Sequence, residues 1–301
     1  MVGGTTVERG RDRRIAILAA AGAAILLWGA TPLVTRIAVL VIDPLAVGVL
    51  RTVIGALIVL PFAVALRLPL PRGARQWFLL TVSAVGGFVV FPLLFAVGVR
   101  RTSTSHAALV IAAAPLLTAV IAAAVERRRL ARSWLLGAAL AMLGEVVLIA
   151  LRAGDGGSEA SIAGDLMVVL ANVGSASGYV AGAKLARDIT TWGTTFWGIV
   201  LGGLFLLPIM PTVLGPAAWH DAGLLGWSAI AYLALGATIL AYVCWYWALQ
   251  QGGIARIGTT QFLQPLVALV LAVLVLREQV TLQLAIAGLL IVAGVALAQR
   301  R

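Results

Sequence analysis

Two glutamines, Gln261 and Gln264, lie three residues apart in a stretch without charge from residue 257 to residue 276. Residues with this spacing share one face of a helix. Pro265 follows at once, and a proline inside a helix leaves the carbonyl four residues earlier without its usual hydrogen bond. Because a polar side chain facing lipid is costly, the pattern predicts a helix that bends at Pro265 and directs both carboxamides toward a polar ligand. The alternative is that both glutamines bond neighbouring helices.

A second polar stripe lies in the stretch ANVGSASGYVAG, at residues 171–182. Asn172 and Tyr179 stand about two helical turns apart within it. The stripe predicts one wall of a binding cavity, with these two side chains as its polar groups. The alternative is close helix packing through the small residues, with serines bonded to their own backbone.

Aromatic side chains in three other apolar stretches supply the rest of the predicted site. Ligand pockets are mostly apolar with few polar anchors. The members predicted to line the pocket are Trp28, Phe91, Tyr242 and Trp245. The alternative for aromatic residues near helix ends is an interfacial belt at the membrane surface.

Pro115 also interrupts an apolar stretch and is predicted to act with Pro265 as a conformational hinge. Its neighbours at 112–114 are alanines, so we expect close packing or an apolar wall around it.

Charged and titratable side chains inside the apolar stretches need separate treatment. Arg51 lies roughly 10 Å inside a stretch that begins at Pro44, at 1.5 Å per residue. It could attract a carboxylate, but extension to the lipid headgroups is the favoured interpretation. For His106 we favour a solvated interfacial position, with pH sensing as the alternative. No acidic residue is expected near the middle of any apolar stretch, which argues against proton exchange through such a group.

The composition is that of a membrane protein. The 301 residues are 62% hydrophobic and 11% charged, with a mean hydropathy of +1.07. Soluble domains carry about 25% charged residues. A helix needs about 20 apolar residues to cross the hydrocarbon core. The ten predicted spans are 15–35, 44–66, 76–99, 102–125, 133–151, 160–183, 189–220, 222–255, 257–276 and 279–299.

The distribution of basic residues predicts the orientation. With the N-terminus in the cytoplasm, 16 of the 22 basic residues lie on the cytoplasmic side and five on the opposite side, with Arg51 inside a span. Such a bias over short loops follows the positive-inside rule. Both termini are therefore predicted to be cytoplasmic. The net charge of +11 is explained by topology rather than by nucleic acid.

The chain repeats itself at an offset of 150 residues. The matched positions are Trp77 and Trp227, Gly86 and Gly236, and Pro115 and Pro265. Because five spans are an odd number, the second repeat enters the membrane from the opposite side. The predicted divisions are a cytoplasmic tail (1–14), a first five-helix repeat (15–151), an outer linker (152–160) and an inverted second repeat (161–301). Inverted repeats permit alternating access to a site between them.

Two motifs carry a family resemblance. The stretch LLWGATPLVTR (26–36) and the twice-used order of proline, apolar run, glutamate and glycine-containing helix resemble the EamA-type members of the drug/metabolite transporter superfamily. These include amino-acid exporters of the YddG kind. The resemblance implies an all-α polytopic fold of ten transmembrane helices, arranged as two inverted five-helix repeats around a central cavity. It also implies that the fifth and tenth helices are peripheral.

We therefore expect a secondary transporter that exports small metabolites, foremost aromatic or large neutral amino acids, without proton coupling. Drugs and sugar- or nucleotide-type metabolites are the alternative cargo, and an intramembrane enzyme or a lipid carrier is the alternative class. No nucleophile–base pair or metal motif supports catalysis. We expect no cofactor, no metal and no nucleic acid partner, and a monomer in the bacterial inner membrane, with the lipid bilayer and a small-molecule substrate as partners.

Overall fold

The computed structural model describes residues 4–112, 114–127, 132–150, 161–215, 218–252, 263–277 and 280–298. Within these ranges the chain is helical and contains no β-strand. The α-helices are α1 (Gly4–Gly29), α2 (Thr31–Val41), α3 (Pro44–Ala65), α4 (Gly73–Ala84), α5 (Phe91–Arg101), α6 (Thr104–Ala112), α7 (Ala114–Glu126), α8 (Arg132–Ala150), α9 (Ile162–Asp188), α10 (Thr191–Leu206), α11 (Met210–Val213), α12 (Gly223–Ala231), α13 (Ala241–Gly252), α14 (Leu263–Leu276) and α15 (Leu282–Ala298). Two π-helices, π1 (Val85–Val90) and π2 (Tyr232–Leu240), and a 3-10 turn (Leu207–Ile209) join some of them.

Seven helical stretches of the described chain are long and apolar enough to cross a membrane. They are Asp12–Val41, Pro44–Ala65, Gly73–Arg101, Thr104–Glu126, Ile162–Asp188, Thr191–Val213 and Gly223–Trp245. Two shorter apolar helices cover Val267–Leu276 and Ala285–Gly294. An all-helical, multi-pass membrane protein is thereby confirmed, whereas the number of ten spans stays a prediction.

The first span is longer than the sequence predicts and is interrupted at Ala30. Helix α1 ends at Gly29, and α2 continues from Thr31 to Val41, beyond the predicted end at Thr35. Pro32 occupies the first turn of α2, where its missing N–H does little harm. The helix continues past Arg36, because the guanidinium donates hydrogen bonds to the carbonyls of residues 99, 100 and 102. The charged side chain is therefore satisfied within the protein and does not have to lie in a solvent-exposed loop.

The two π-helices lie at corresponding positions of two long helical stretches. π1 is continuous with α4 and α5, and π2 with α12 and α13. Shifting Val85–Val90 by the repeat offset of 150 places it on residues 235–240, inside π2. Short π-helical turns are rare and occur frequently at functional sites. The apolar pattern did not reveal them, because one extra residue per turn leaves hydropathy unchanged.

Glycines bring α9 against π1. A Cβ atom added to Gly86 would lie 2.3 Å from the carbonyl oxygen of Gly174, and one added to Gly178 would lie 2.8 Å from the nitrogen of Gly87. Ser177 bonds its own backbone, donating to the carbonyl of residue 173 at 2.8 Å. These contacts are those of close packing through the small residues of the stripe at 171–182.

Helices α8 and α15 pack mainly on each other. A Cβ atom on Gly144 would lie 2.9 Å from the carbonyl oxygen of Ala287, and one on Gly294 would lie 2.4 Å from the nitrogen of Ala141. Gly144 and Gly294 are themselves separated by the repeat offset of 150. The pair has little contact with the rest of the described chain, as expected for peripheral helices.

Candidate substrate-binding site

Three of the predicted site residues form one aromatic cluster inside the membrane-spanning region. The ring of Trp28, from α1, lies 5.1 Å from that of Tyr242 and 5.6 Å from that of Trp245, both from α13, measured between centroids. Both contacts are edge-to-face, an arrangement that aromatic pairs favour. Trp28 and Trp245 are buried, so neither belongs to an interfacial belt. We refer to Trp28, Tyr242 and Trp245 as the aromatic cluster.

The main chain of π2 orients the tryptophan of α1. Trp28 Nε1 donates a hydrogen bond to the carbonyl oxygen of Ala237 at 3.0 Å. The indole has a single donor and no acceptor, so this bond uses its whole polar capacity. Trp28 therefore offers apolar ring surface rather than a hydrogen bond to any ligand beside the cluster.

Two tyrosine hydroxyl groups provide polar atoms at the edge of the cluster. The hydroxyl oxygens of Tyr179 and Tyr242 are 3.1 Å apart, so that one donates to the other. Tyr179 comes from α9 and is 36% exposed, although it lies well inside a membrane-spanning helix. Phe88 of π1 lies 6.0 Å from the Tyr242 ring. Residues from both halves of the chain thus meet here, and a role of Tyr179 in substrate binding stays a prediction.

Arg51 lies beside these residues and is buried, with 8% of its surface exposed. Its Nε donates to Thr238 Oγ1 at 3.0 Å, and its guanidinium carbon lies 5.8 Å from the centroid of the Phe91 ring. A cation above an aromatic face at this distance is favourable. The favoured expectation that Arg51 extends to the headgroups is therefore wrong, because its partners are inside the protein.

Among the described residues, the ionisable side chains near Arg51 are phenols, those of Tyr242, Tyr179 and Tyr232. Phenols are neutral at physiological pH, so they do not compensate the charge of the guanidinium. No carboxylate of the described residues forms an ion pair with Arg51. Four described aspartates have their partners elsewhere, namely Asp43 at the start of α3, Asp165 near His106, Asp188 with Arg75, and Asp221 with His220.

Phe91, the fourth predicted aromatic residue, contacts Arg51 and Phe95. Its ring is stacked on that of Phe95, with centroids 5.2 Å apart and planes inclined by 11°. Phe91 is the first residue of α5, directly after π1. This stacking fixes the ring in the position from which it contacts Arg51.

Asn172 is buried and bonded to a neighbouring helix. Its Nδ2 donates to the carbonyl oxygen of Val110 at 2.7 Å. Val110 lies near the end of α6, two residues before Ala112. Helices in membranes tolerate an interruption when neighbouring side chains satisfy the freed carbonyls. A direct role of Asn172 in substrate binding stays a prediction.

Gln264 lies in the first turn of α14 and is half-buried. A Cβ atom on Gly29 would lie 3.1 Å from the main-chain oxygen of Gln264 and 2.6 Å from Cγ1 of Val267. Helix α14 therefore crosses α1 one residue after Trp28. Gln261 lies outside the described residues, so the predicted carboxamide pair stays a prediction.

The two predicted hinges fall at helix beginnings. Pro265 is in the first turn of α14, and residues 253–262, where the bend would begin, lie outside the described residues. Pro115 is in the first turn of α7, and α6 ends at Ala112. Two helices therefore meet close to Pro115. Movement at either proline stays a prediction.

His106 is not the solvated residue that the sequence favoured. Its Nδ1 lies 3.4 Å from Oδ2 of Asp165, whose side chain is completely buried. Thr102 Oγ1 also donates to Asp165. Asp165 lies in the first turn of α9, where a carboxylate is stabilised by the helix dipole. The histidine was misjudged because its partner is 59 residues away in the chain.

Thr238, which accepts the hydrogen bond from Arg51, is not among the site residues predicted from the sequence. The available signal was Arg51 itself, which is the only charged residue between Pro44 and Leu66. A buried arginine needs an acceptor, and Thr238 is one of few polar side chains in its apolar span. Only the packing of α3 against π2 identifies it as the acceptor.

Comparison with known proteins identifies the family of this chain. The model of the EamA-like transporter family matches residues 14–150 and, separately, residues 162–299. The chain belongs to the EamA-like transporter family. It is therefore a membrane transporter of small molecules, and its family is one of transporters rather than of enzymes.

Individual relatives agree with this assignment. This EamA-like transporter is 33% identical over 278 residues to the uncharacterized transporter YdeK of Bacillus subtilis, covering 92% of this chain and 94% of that protein. It is 24% identical over 269 residues to an uncharacterized transporter of Synechocystis sp., covering 85% and 81%. A solved crystal structure with 24% identity has the same fold, with a TM-score of 0.63 over 94% of this chain and 97% of that one.

Proposed function

We propose that this EamA-like transporter exports amino acids with aromatic or large neutral side chains from the cytoplasm. The observation that carries the proposal is the buried aromatic cluster of Trp28, Tyr242 and Trp245, with the hydroxyl pair of Tyr179 and Tyr242 at its edge. Ring surfaces favour an apolar or aromatic side chain, and a small number of polar atoms orient it.

The proposed mechanism is alternating access by a monomer, with ten spans in two inverted five-helix repeats, 15–151 and 161–301, joined by an outer linker at 152–160. The corresponding positions of π1 and π2 support this arrangement. So do the reciprocal packing of Gly144 and Gly294 and the two separate matches of the family model. In such folds the site lies between the repeats. The aromatic cluster and Tyr179 combine residues from both halves.

We propose that export is not coupled to protons. The 16-to-five distribution of basic residues supports cytoplasmic termini and an inner-membrane location. Among described residues with ionisable side chains, those that interact with Arg51 beside the cluster are tyrosines. None of these is a carboxylate that could exchange a proton near neutral pH. We propose that the substrate moves down its own gradient.

The test is efflux from liposomes that contain the purified protein and labelled phenylalanine, tryptophan or leucine. We expect efflux with and without a pH gradient. Replacing Trp245 by leucine removes a ring of the cluster and should lower efflux about tenfold. Replacing Trp247 by leucine is the matched control, because this residue is on the same helix but 37% exposed.

Two results would contradict the proposal in different ways. Absence of flux for every amino acid would refute the substrate class. Flux that appears only with an inward proton gradient would refute the uncoupled mechanism, and His106 with Asp165 would then be the first residues to replace.

A further inference from the structure

We propose that Arg51 binds the carboxylate of the transported substrate, so that the site selects organic acids and amino acids with an apolar body. This inference rests on the proposed function, because it assigns the substrate class to the same site. It differs from that function in naming one charged group as the basis of selection.

Burial without a carboxylate partner among the described residues is the first reason. Arg51 is 8% exposed in the span Pro44–Ala65, and no described carboxylate pairs with it. A charged side chain inside a membrane protein is costly and normally pairs with another group or marks a substrate site. A buried guanidinium without an acidic partner is suited to an anion that arrives with the substrate.

The unused donors of Arg51 are the second reason. A guanidinium has five N–H donors in a planar fork. The structure uses the Nε donor for Thr238, and the two terminal nitrogens have no hydrogen bond to a described residue. Two parallel donors match the two oxygens of a carboxylate, whereas a lysine ammonium would offer only a point charge.

The position of Arg51 relative to the aromatic cluster is the third reason. Thr238, which holds Nε, and Ala237, whose carbonyl holds Trp28, are consecutive residues of π2. Thr238 donates its own proton to the carbonyl of residue 233 at 2.8 Å, which leaves its oxygen lone pairs for the arginine. Adjacent residues of π2 therefore bond both the cationic group and the tryptophan that supplies apolar surface. A substrate with its carboxylate on Arg51 can place its apolar body against Trp28.

The same arrangement disfavours cations. No described carboxylate lies beside Arg51 to receive an ammonium group, and the guanidinium repels positive charge. The ammonium of an amino acid would instead meet tyrosine hydroxyls and ring faces. Recognition therefore depends on the carboxylate, and the ammonium is dispensable.

The test compares two ligands of nearly equal shape, 3-phenylpropionate and its neutral amide, 3-phenylpropanamide. Equilibrium binding of each is measured to the full protein in lipid nanodiscs. For the wild-type chain we expect the acid to bind about tenfold more tightly than the amide, because a bond between charged groups is lost. In Arg51→Gln this ratio should fall to about one. Arg51→Lys should give an intermediate ratio.

Arg100→Gln is the matched control, because it removes the same charge from an exposed side chain. It should leave the ratio unchanged. Equal binding of acid and amide to the wild type, or absence of binding of the acid, would overturn the proposal. So would an unchanged ratio in Arg51→Gln. If Arg51→Gln does not fold, the ratio of acid to amide binding in the wild type decides whether the proposal stands.

Failure of the inference can be told from failure of the proposed function. Preferential binding of 3-phenylpropionate without any amino-acid efflux would retain the Arg51 site and refute amino-acid export. Efflux of phenylalanine with equal binding of acid and amide would retain export and refute the role of Arg51.

Discussion

Replacing Thr238 by valine tests whether π2 holds the arginine in place. The threonine hydroxyl accepts from Arg51 Nε at 3.0 Å and donates to the carbonyl of residue 233 at 2.8 Å. Valine retains the branched shape but can make neither bond. The variant therefore leaves a donor of a buried guanidinium without its acceptor, in an otherwise similar core.

The magnitude follows from the charge on the donor. Hydrogen bonds to charged groups contribute about 1.5–3 kcal/mol, whereas neutral bonds between membrane helices average about 0.6 kcal/mol. We expect Thr238→Val to lower the free energy of unfolding by about 2 kcal/mol. Thr52→Val is the matched comparison, because Thr52 is equally buried and donates to the carbonyl of residue 88 at 2.9 Å. Its cost should be about 0.6 kcal/mol.

The assay is reversible unfolding of the protein in mixed micelles, followed by circular dichroism. Thr238→Ser keeps the hydroxyl and should recover most of the lost stability. The double variant with Arg51→Gln should cost less than the sum of the single variants, since the two residues interact directly. Equal costs for the two valine variants, or a serine variant as unstable as Thr238→Val, would refute the reasoning.

Three further predictions concern packing and the edge of the aromatic cluster. Gly86→Ala should cost about 1–3 kcal/mol in unfolding free energy, because its Cβ atom would lie 2.3 Å from a carbonyl oxygen of α9. A Cβ atom on Gly22 would have no neighbour within 4 Å, so Gly22→Ala should be neutral or stabilising. A similar loss of stability in both glycine variants would contradict this packing argument. Asn172→Leu should cost about 1–3 kcal/mol because it leaves a carbonyl of α6 without its donor. Unchanged melting would contradict that structural bond. Tyr179→Phe should weaken phenylalanine binding about threefold to tenfold, since the hydroxyl pair with Tyr242 is lost. Unaltered binding would remove Tyr179 from the site.

The membrane class and the family were predictable because they depend on composition and order. Long apolar runs require helices in lipid whatever their neighbours are, since backbone groups must be satisfied within the segment. The family pattern likewise depends on spacing along the chain, and the family model confirms it. The ends of the spans were harder to predict. Arg36, for example, lies inside a longer helix because carbonyls far away in the chain accept its hydrogen bonds.

The site was predictable only in part. Trp28, Tyr242 and Trp245 could be proposed as a group because ligand pockets are mostly apolar and rich in aromatic side chains. Asn172 could not be assigned in this way, since an amide can bond a ligand or a helix equally well. Its bond to the carbonyl of Val110 is visible only when α9 and α6 are placed side by side.

The amino-acid sequence by itself determined that this protein is helical, crosses the membrane many times and belongs to a transporter family. The helices and the membrane class follow from local composition and periodicity, and the family follows from the order of its motifs along the chain. The tertiary structure decided the direction of Arg51 and the partner of His106, because each depends on a residue far away in the chain. It also decided where the helices widen into π1 and π2, since that choice reflects packing between helices rather than the pattern within one.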